Sequence, residues 1–394
     1  MKILIYYEQR GYGGVDTHLA HLINYWPDLD DTFLIVTNFD NSGLPILKKL
    51  LNNPKVCVVT LKNAFKRSKG LEYKSKKAFT FFMNNVRFIK AFKSILRKEK
   101  PSIVISNNGG YPGGMSNWIA AIIARRYTQK VFLLVHHAPV KKMKGLYSYL
   151  TSALLKLSKI SRTPIITVSY ASKKMLGMYT NLRNLHVIYN GLSSRGSDFD
   201  KFDYYDQFNI QEDRVLIGMI GPIDSHKGHS TILDALSCSK LLQEKAHFVI
   251  VGSGSDNFIS ELKIKCLSPN ISNLVTFTGY LKDSSMSLVR GFDILVMPTT
   301  DFEGFGYSMA EAMLGGCPVV ASKVGAIPEV ITDNENGYLI SPFDVKNGWV
   351  PVLEKLLNSK KTRNEIGHAG RDRILKNFSA ESMSKNYCKF LKSE

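Results

Sequence analysis

The sequence predicts an α/β protein built from two doubly wound parallel sheets that face a central cleft. Short apolar runs alternate with helix-like stretches along the whole chain, the pattern of parallel strands joined by crossover helices. The same alternation starts again in the second half, after Asn190-Gly191-Leu192-Ser193-Ser194-Arg195-Gly196-Ser197-Asp198, a polar, turn-rich segment that reads as a linker. At 394 residues the chain is long for one core and comfortable for two. Sheets of this kind bind ligands beyond the carboxyl ends of their strands, so two of them joined at this linker leave a cleft between those edges.

In the first half, strands are expected at Lys2 to Tyr7, Thr32 to Thr37, Val56 to Leu61, Ser102 to Ser106, Val131 to His136 and Pro164 to Val168. The first leads into Gly11-Tyr12-Gly13-Gly14-Val15-Asp16-Thr17-His18-Leu19, which opens a helix, and its glycines let backbone approach the cleft. The strand ending at His136 delivers either that residue or His137 to the cleft edge. In the second half, strands are expected at Val215 to Ile220, Ala246 to Val251, Val275 to Thr278, Phe292 to Met297, Pro318 to Ala321 and Gly337 to Ile340. The first of these hands over to Gly221-Pro222-Ile223-Asp224-Ser225-His226-Lys227-Gly228 and an amphipathic helix from Thr231 to Leu236. Lys227 is thereby placed to neutralise a diphosphate, as a mobile point charge backed by amide donors. Two more strands run into glycine, at Gly252-Ser253-Gly254 and at Gly279-Tyr280.

The most informative segment follows Asp293 to Met297, an apolar run stopped by Pro298. It reads Glu303-Gly304-Phe305-Gly306-Tyr307-Ser308-Met309-Ala310-Glu311. Gly304 and Gly306 permit a sharp turn and leave no side chain between the N–H groups of the following helix and an approaching anion. Glu303 falls on the loop and Glu311 about a turn and a half into the helix, so the two can touch different ends of one elongated ligand. A nucleotide sugar has that shape.

Together these segments resemble the retaining glycosyltransferases of the GT-B fold, specifically the GT4-like, glycosyltransferase group 1 family. The resemblance covers most of 186 to 345. It rests on Ile188-Tyr189-Asn190-Gly191, the Lys227-Gly228 loop, Gly252-Ser253-Gly254, Phe277-Thr278-Gly279-Tyr280, Met297-Pro298, the two-glutamate segment and Val324-Gly325-Ala326-Ile327-Pro328-Glu329, in the family's order and spacing. It implies a Rossmann-like acceptor-binding domain over 1–189 and a Rossmann-like donor-binding domain over 190–377, with a helix at about 378–394 packing back on the first. Glu311 would hold the ribose hydroxyls and Glu303 would contact the transferred sugar. Lys227 and the amides around Gly304, Phe305, Gly306, Tyr307 and Ser308 would take the diphosphate, with Tyr280 beside the base. Gly13 and Gly14 would stand near the donor phosphate and acceptor. His136, favoured over His137, would contact the donor sugar and complete a catalytic set with Glu303 and Lys227.

The reaction so implied is substitution at an anomeric carbon with retention, a nucleoside diphosphate departing. Charge building on that phosphate is met by Lys227 and the helix start at 306 to 308. UDP is the expected nucleotide, and neither a cofactor nor a metal is expected. Asp28-Leu29-Asp30 and Asp198-Phe199-Asp200 lie in polar turns and read as solvated loops. One departure stands out, because Pro222 occupies the place where the family usually has an arginine, and proline supplies neither charge nor donor. Either another cation, His226 or a lysine of the first domain, takes over, or donor binding is weaker.

Charge is divided unevenly. Residues 1–190 carry 30 Lys+Arg against 8 Asp+Glu, whereas the remainder carries 22 against 25. The first half therefore faces something anionic. The expected acceptor is a lipid-linked or cell-envelope glycan at an anionic membrane surface; a soluble glucan, a protein or a small molecule is the alternative. One basic stretch starts at Lys62 and continues into a helix with Phe82, Val86, Ile89, Phe92 and Leu96 on one face. A second spans Lys141 to Lys159. Each either seats on an anionic leaflet or packs on the core with a solvated basic back. Five scattered cysteines without metal-ligand spacing, no membrane-length apolar run and no signal peptide suggest a cytoplasmic protein, peripheral on the inner face of the membrane. A nucleotide-sugar epimerase of the same shape would not account for the order of motifs. A basic nucleic-acid-binding protein would leave the second half unexplained, so no nucleic-acid partner is expected.

Overall fold

The computed structural model describes residues 1–9, 11–61, 74–111, 113–138, 163–180, 182–194, 200–268 and 270–394. They form two compact units, Met1–Gly191 with Ala380–Glu394, and Leu192–Ser379.

The first unit holds a seven-stranded parallel sheet. Its strands are β1 (Lys2–Tyr7), β2 (Thr32–Asn38), β3 (Val56–Leu61), β4 (Ile103–Asn108), β5 (Lys130–Val135), β6 (Ile165–Thr167) and β7 (Leu185–Val187), in spatial order β3-β2-β1-β4-β5-β6-β7. The order reverses between β1 and β4, so the loops leaving those strands diverge at the carboxyl edge, where such sheets place ligands. A central parallel strand is covered on both faces and must be apolar on both, and Ile3, Leu4, Ile5 and Tyr6 are fully buried.

Helix Lys74–Glu99 closes one face of this sheet. Phe88 and Phe92 stack with ring centroids 5.4 Å apart and pack on Tyr6 at 5.0 and 5.3 Å. Leu96 joins the same core, Val86 and Ile89 are half-buried, and Lys90 and Arg97 face solvent. From Val86 to Leu96 the apolar face of this basic helix is therefore engaged by the unit's own core, which corrects the option of that stretch seated on a leaflet; the side chain of Phe82 lies outside the described residues. Phe88, outside the face expected from the sequence, is one of its main anchors. The lysines from Lys62 to Lys69 and the stretch Lys141 to Lys159 lie outside the described residues.

Helix Ala380–Ser393 also belongs to this unit. Ser384 Oγ donates to the carbonyls of His21 (3.3 Å) and Leu22 (3.0 Å) near the end of helix Gly14–Asn24. Lys392 pairs with Asp28 and, at 2.9 Å, with Asp31, so Asp28 is an ion-pair partner rather than a solvated loop carboxylate.

The second unit repeats the plan with six parallel strands. They are β8 (Val215–Ile220), β9 (Ala246–Val251), β10 (Val275–Gly279), β11 (Ile294–Met297), β12 (Val319–Ser322) and β13 (Tyr338–Ile340), in order β10-β9-β8-β11-β12-β13. Its core gathers Ile217, Phe248, Val296, Val320 and the fully buried Trp349, whose indole N–H donates to the carbonyl of Ser341 at 3.2 Å. All the strands expected from the sequence form, and β7 is an addition. Among the described residues no helix is long and apolar enough to cross a membrane.

Replacing Phe92 with Ala should cost about 3–5 kcal/mol in urea unfolding, the range for truncating a buried aromatic ring. Replacing the exposed Arg97 with Gln should change stability by no more than about 0.5 kcal/mol. Equal, small effects from both would mean that the helix does not pack as described.

Candidate functional site

In the second unit, the loops leaving β8, β9 and β10 run side by side at the carboxyl edge. The N–H of Gly221 donates to Val251 O (3.0 Å), that of Ile223 to Ser253 O (2.9 Å) and that of Gly252 to Gly279 O (2.9 Å). The loop after β8 tightens into a 3₁₀ turn, Ser225–Lys227, where the Asp224 carboxylate accepts from the N–H groups of His226 (2.9 Å) and Lys227 (3.2 Å). Gly228 follows at φ 74°, with the carbonyl oxygen of Pro298 where a Cβ would come within 1.9 Å. Only glycine allows so close an approach. His226 O in turn accepts from the N–H of Thr300 at 2.8 Å. These contacts fix Lys227 against the loop after β11, and its Nζ lies 2.8 Å from Glu303 Oε2.

Glu303 is positioned by its own backbone. Its carbonyl accepts from Ala326 N–H at 2.8 Å, and Gly325, at φ 55°, comes so near that a Cβ would lie 2.3 Å from that oxygen. Gly304, Phe305 and Gly306 are buried. The Phe305 ring packs against Tyr307 (5.3 Å) and Phe378 (5.8 Å), so this residue has only its backbone to offer a ligand. Gly306 caps helix Tyr307–Leu314, with Ser308 half-buried in the first turn. One turn on, Glu311 Oε1 accepts from Ser285 Oγ at 2.8 Å. Burial pushes the Glu311 carboxyl up to about 7, against the opposing effect of that hydroxyl. Tyr280 is exposed just past the end of β10.

The structure thus joins Lys227 to Glu303 directly and gives Glu311 a separate partner. Ser285 has no signal in the sequence, being one serine in a polar stretch. His226, considered as a replacement for the missing arginine, has Nδ1 2.8 Å from Asp301 Oδ2, and both it and Pro222 are exposed.

In the first unit, Gly13 and Gly14 form the entry to helix Gly14–Asn24. Gly13 N–H donates to Asp16 Oδ2 (3.0 Å) and Asp16 N–H to Gly13 O (2.9 Å), while Tyr7 Oη lies 3.2 Å from Asp16 Oδ1. Burial pushes Asp16 up to about 6 in spite of these bonds. His136 follows β5 directly, its N–H donating to Asn108 O at 3.1 Å. Its Nε2 is 2.7 Å from Asn107 Oδ1, and its ring meets that of His18 at 4.7 Å and 77°. His18 is fully buried, with Nδ1 2.8 Å from Asn190 Oδ1. Burial lowers His136 to about 3 and His18 well below its usual value, so both rings are neutral at physiological pH. His137 is half-buried as well, and its carbonyl accepts from Tyr111 N–H at 2.8 Å. Asn107 carries no motif of its own, and although His18 and Asn190 lie in segments the sequence singles out, nothing in those segments announces their pairing across 172 residues or that of Asn107 with His136 across 29.

Comparison with known proteins assigns this architecture. The model for Glycosyltransferase Family 4 matches residues 12–194, and that for Glycosyl transferases group 1 matches residues 200–373. CapM of Staphylococcus aureus, a capsular polysaccharide biosynthesis glycosyltransferase, is 28% identical over 314 residues, covering 76% of this chain and 79% of CapM. Among solved structures, Anabaena HepE in complex with UDP-glucose superposes with a TM-score of 0.76 at 18% identity, covering 100% of both chains. Sucrose-phosphate synthase from Thermosynechococcus elongatus gives 0.75 at 17% identity, covering 100% of this chain and 98% of that one. At these identities the solved structures establish the fold, and the two family models between them span both halves. The chain belongs to the group 1, family 4 glycosyltransferases and is a glycosyltransferase of the GT-B fold.

Proposed function

We propose that the protein transfers a sugar from a UDP-sugar to a lipid-linked or cell-envelope glycan, with retention of configuration, at the inner face of the membrane. The observation that carries this reading is the Lys227–Glu303 pair, 2.8 Å apart beside the start of helix Tyr307–Leu314. A cation and the positive end of a helix then flank one diphosphate, while a carboxylate stands ready for the hydroxyls of the attached sugar. Glu311, further along the same helix, takes the ribose hydroxyls, and Tyr280 lies towards the base. In the first unit, His136 contacts a sugar hydroxyl and the Gly13–Gly14 backbone admits substrate. Charge accumulates on the departing UDP, where Lys227 and the N–H groups of the first turn oppose it. Leaving occurs on the face that the acceptor hydroxyl attacks, so Glu303 orients the sugar without forming a bond to it.

UDP as the nucleotide is supported by the HepE complex, which contains UDP-glucose. A cell-envelope acceptor is supported by the role named for CapM and by the basic first half of the chain, with 30 Lys+Arg against 8 Asp+Glu over residues 1–190.

UDP should raise the thermal midpoint of the protein in proportion to affinity and concentration. Glu311→Ala should abolish that shift, whereas Glu303→Ala should keep it and lose turnover; the reverse pattern would exchange the two assignments.

The Glu311 carboxyl gives a pH test. In the free protein its raised value means that the folded state holds a proton between about 4.5 and about 7 that the unfolded state releases, so this group's contribution to stability falls as pH rises through that window. Ribose hydroxyls favour the ionised form. UDP affinity should therefore rise about tenfold from pH 6 to pH 8 beyond the change seen in Glu311→Gln. Parallel profiles for the two proteins, measured by calorimetry, would remove Glu311 from the site.

Flotation with anionic liposomes should carry the protein at low salt and release it at high salt. Failure to bind at either would rule out the membrane-surface part of the reading.

A further inference from the structure

We propose that Asn107 is a positioning residue that holds His136 in its Nε2–H tautomer, making Nδ1 a hydrogen-bond acceptor for a hydroxyl of a sugar substrate. The inference rests on the assignment of His136 to a sugar contact made above.

Asn107 is the penultimate residue of β4, paired in register with Leu134 of β5, and His136 follows β5 with its backbone N–H bonded to Asn108 O at 3.1 Å. Adjacent parallel strands thus deliver the amide and the imidazole to the same point of the carboxyl edge. An amide oxygen only accepts, so Asn107 Oδ1, 2.7 Å from Nε2, requires the proton on that nitrogen. A neutral imidazole carries one proton, and Nδ1 is left with a lone pair. Among the described residues Nδ1 makes no hydrogen bond. The ring itself cannot swing freely, because His18 stands across it at 4.7 Å and 77° and is anchored to Asn190 in turn. His18 donates through Nδ1 to Asn190 Oδ1, the opposite tautomer, so each histidine has its own asparagine. Asn107 is 1% exposed, and among the described residues its Nδ2 has no hydrogen-bond partner. A buried amide with one end bonded to His136 and the other unsatisfied is costly if its role is only to fill space.

A lone pair at Nδ1 selects a ligand group that can donate. A hydroxyl does so; the same position replaced by hydrogen, or capped as an ether or ester, does not. Asn107 therefore acts through His136 on which sugars are accepted, without touching them itself.

The test uses protein labelled with 15N-histidine, with the His136 signals identified by their loss in His136→Gln. Long-range proton–nitrogen correlations should show Nε2 protonated and Nδ1 bare; the proton on Nδ1 would overturn the proposal. Asn107→Asp, whose carboxylate also only accepts, should keep this pattern and most of the turnover of UDP-glucose. Asn107→Leu should give a mixture of tautomers and lower kcat about tenfold or more, with KM within about threefold and an unchanged fold by circular dichroism. Equal losses in both variants, or an unchanged tautomer in Asn107→Leu, would reduce Asn107 to a packing role. The tautomer is read without turnover, so its result stands apart from the UDP titration of Glu311→Ala that tests the donor site.

Discussion

A single ion pair, Lys227 to Glu303, organises the ligand edge of the second unit. Neither residue lies on a long helix or a strand, so both depend on backbone contacts for their place. Asp224 caps the turn that carries Lys227, Pro298 presses against Gly228, and Gly325 presses against the carbonyl of Glu303. A part-buried pair of this kind adds about 1 kcal/mol or less to stability. Its consequence is positional, since the cation and the carboxylate hold each other in a defined orientation before any ligand arrives.

The two glutamates of the segment differ in the way that two roles require. Glu303 has an ammonium beside it, whereas Glu311 has the Ser285 hydroxyl and a buried setting that favours its protonated form. The first unit adopts another chemistry. Its carboxyl edge carries imidazoles kept neutral by burial and oriented by amides. The second unit thus presents a paired charge and a buried carboxyl at its ligand edge, whereas the first presents neutral hydrogen-bonding rings.

Most of the fold is legible in the sequence because buried parallel strands are continuous apolar runs, such as Lys2 to Tyr7 and Ala246 to Val251. β7 escapes because three residues, one of them His186, are too short a run, and the strand exists only through its pairing with β6. The candidate site divides along the same line. Glu303, Lys227 and Glu311 sit in segments whose glycines, strands and helices announce a turn. Ser285, Asn107 and His18 matter through partners distant in the chain, at separations of 26, 29 and 172 residues, and no local pattern encodes such pairings. The basic helix illustrates a different limit. Its amphipathic pattern suits a membrane and a core equally well, and Tyr6, far away in sequence, decides between them.

Helix Ala380–Ser393 packs on helix Gly14–Asn24 although all of Leu192–Ser379 lies between them in the chain. On the ribosome, the first unit is therefore made early but finished last. Until the second unit has been synthesised, the carbonyls of His21 and Leu22 lack their serine, and Asp28 and Asp31 lack their lysine. The closing element of the first unit thus arrives only when its neighbour is already complete, so the order of translation orders the assembly of the enzyme.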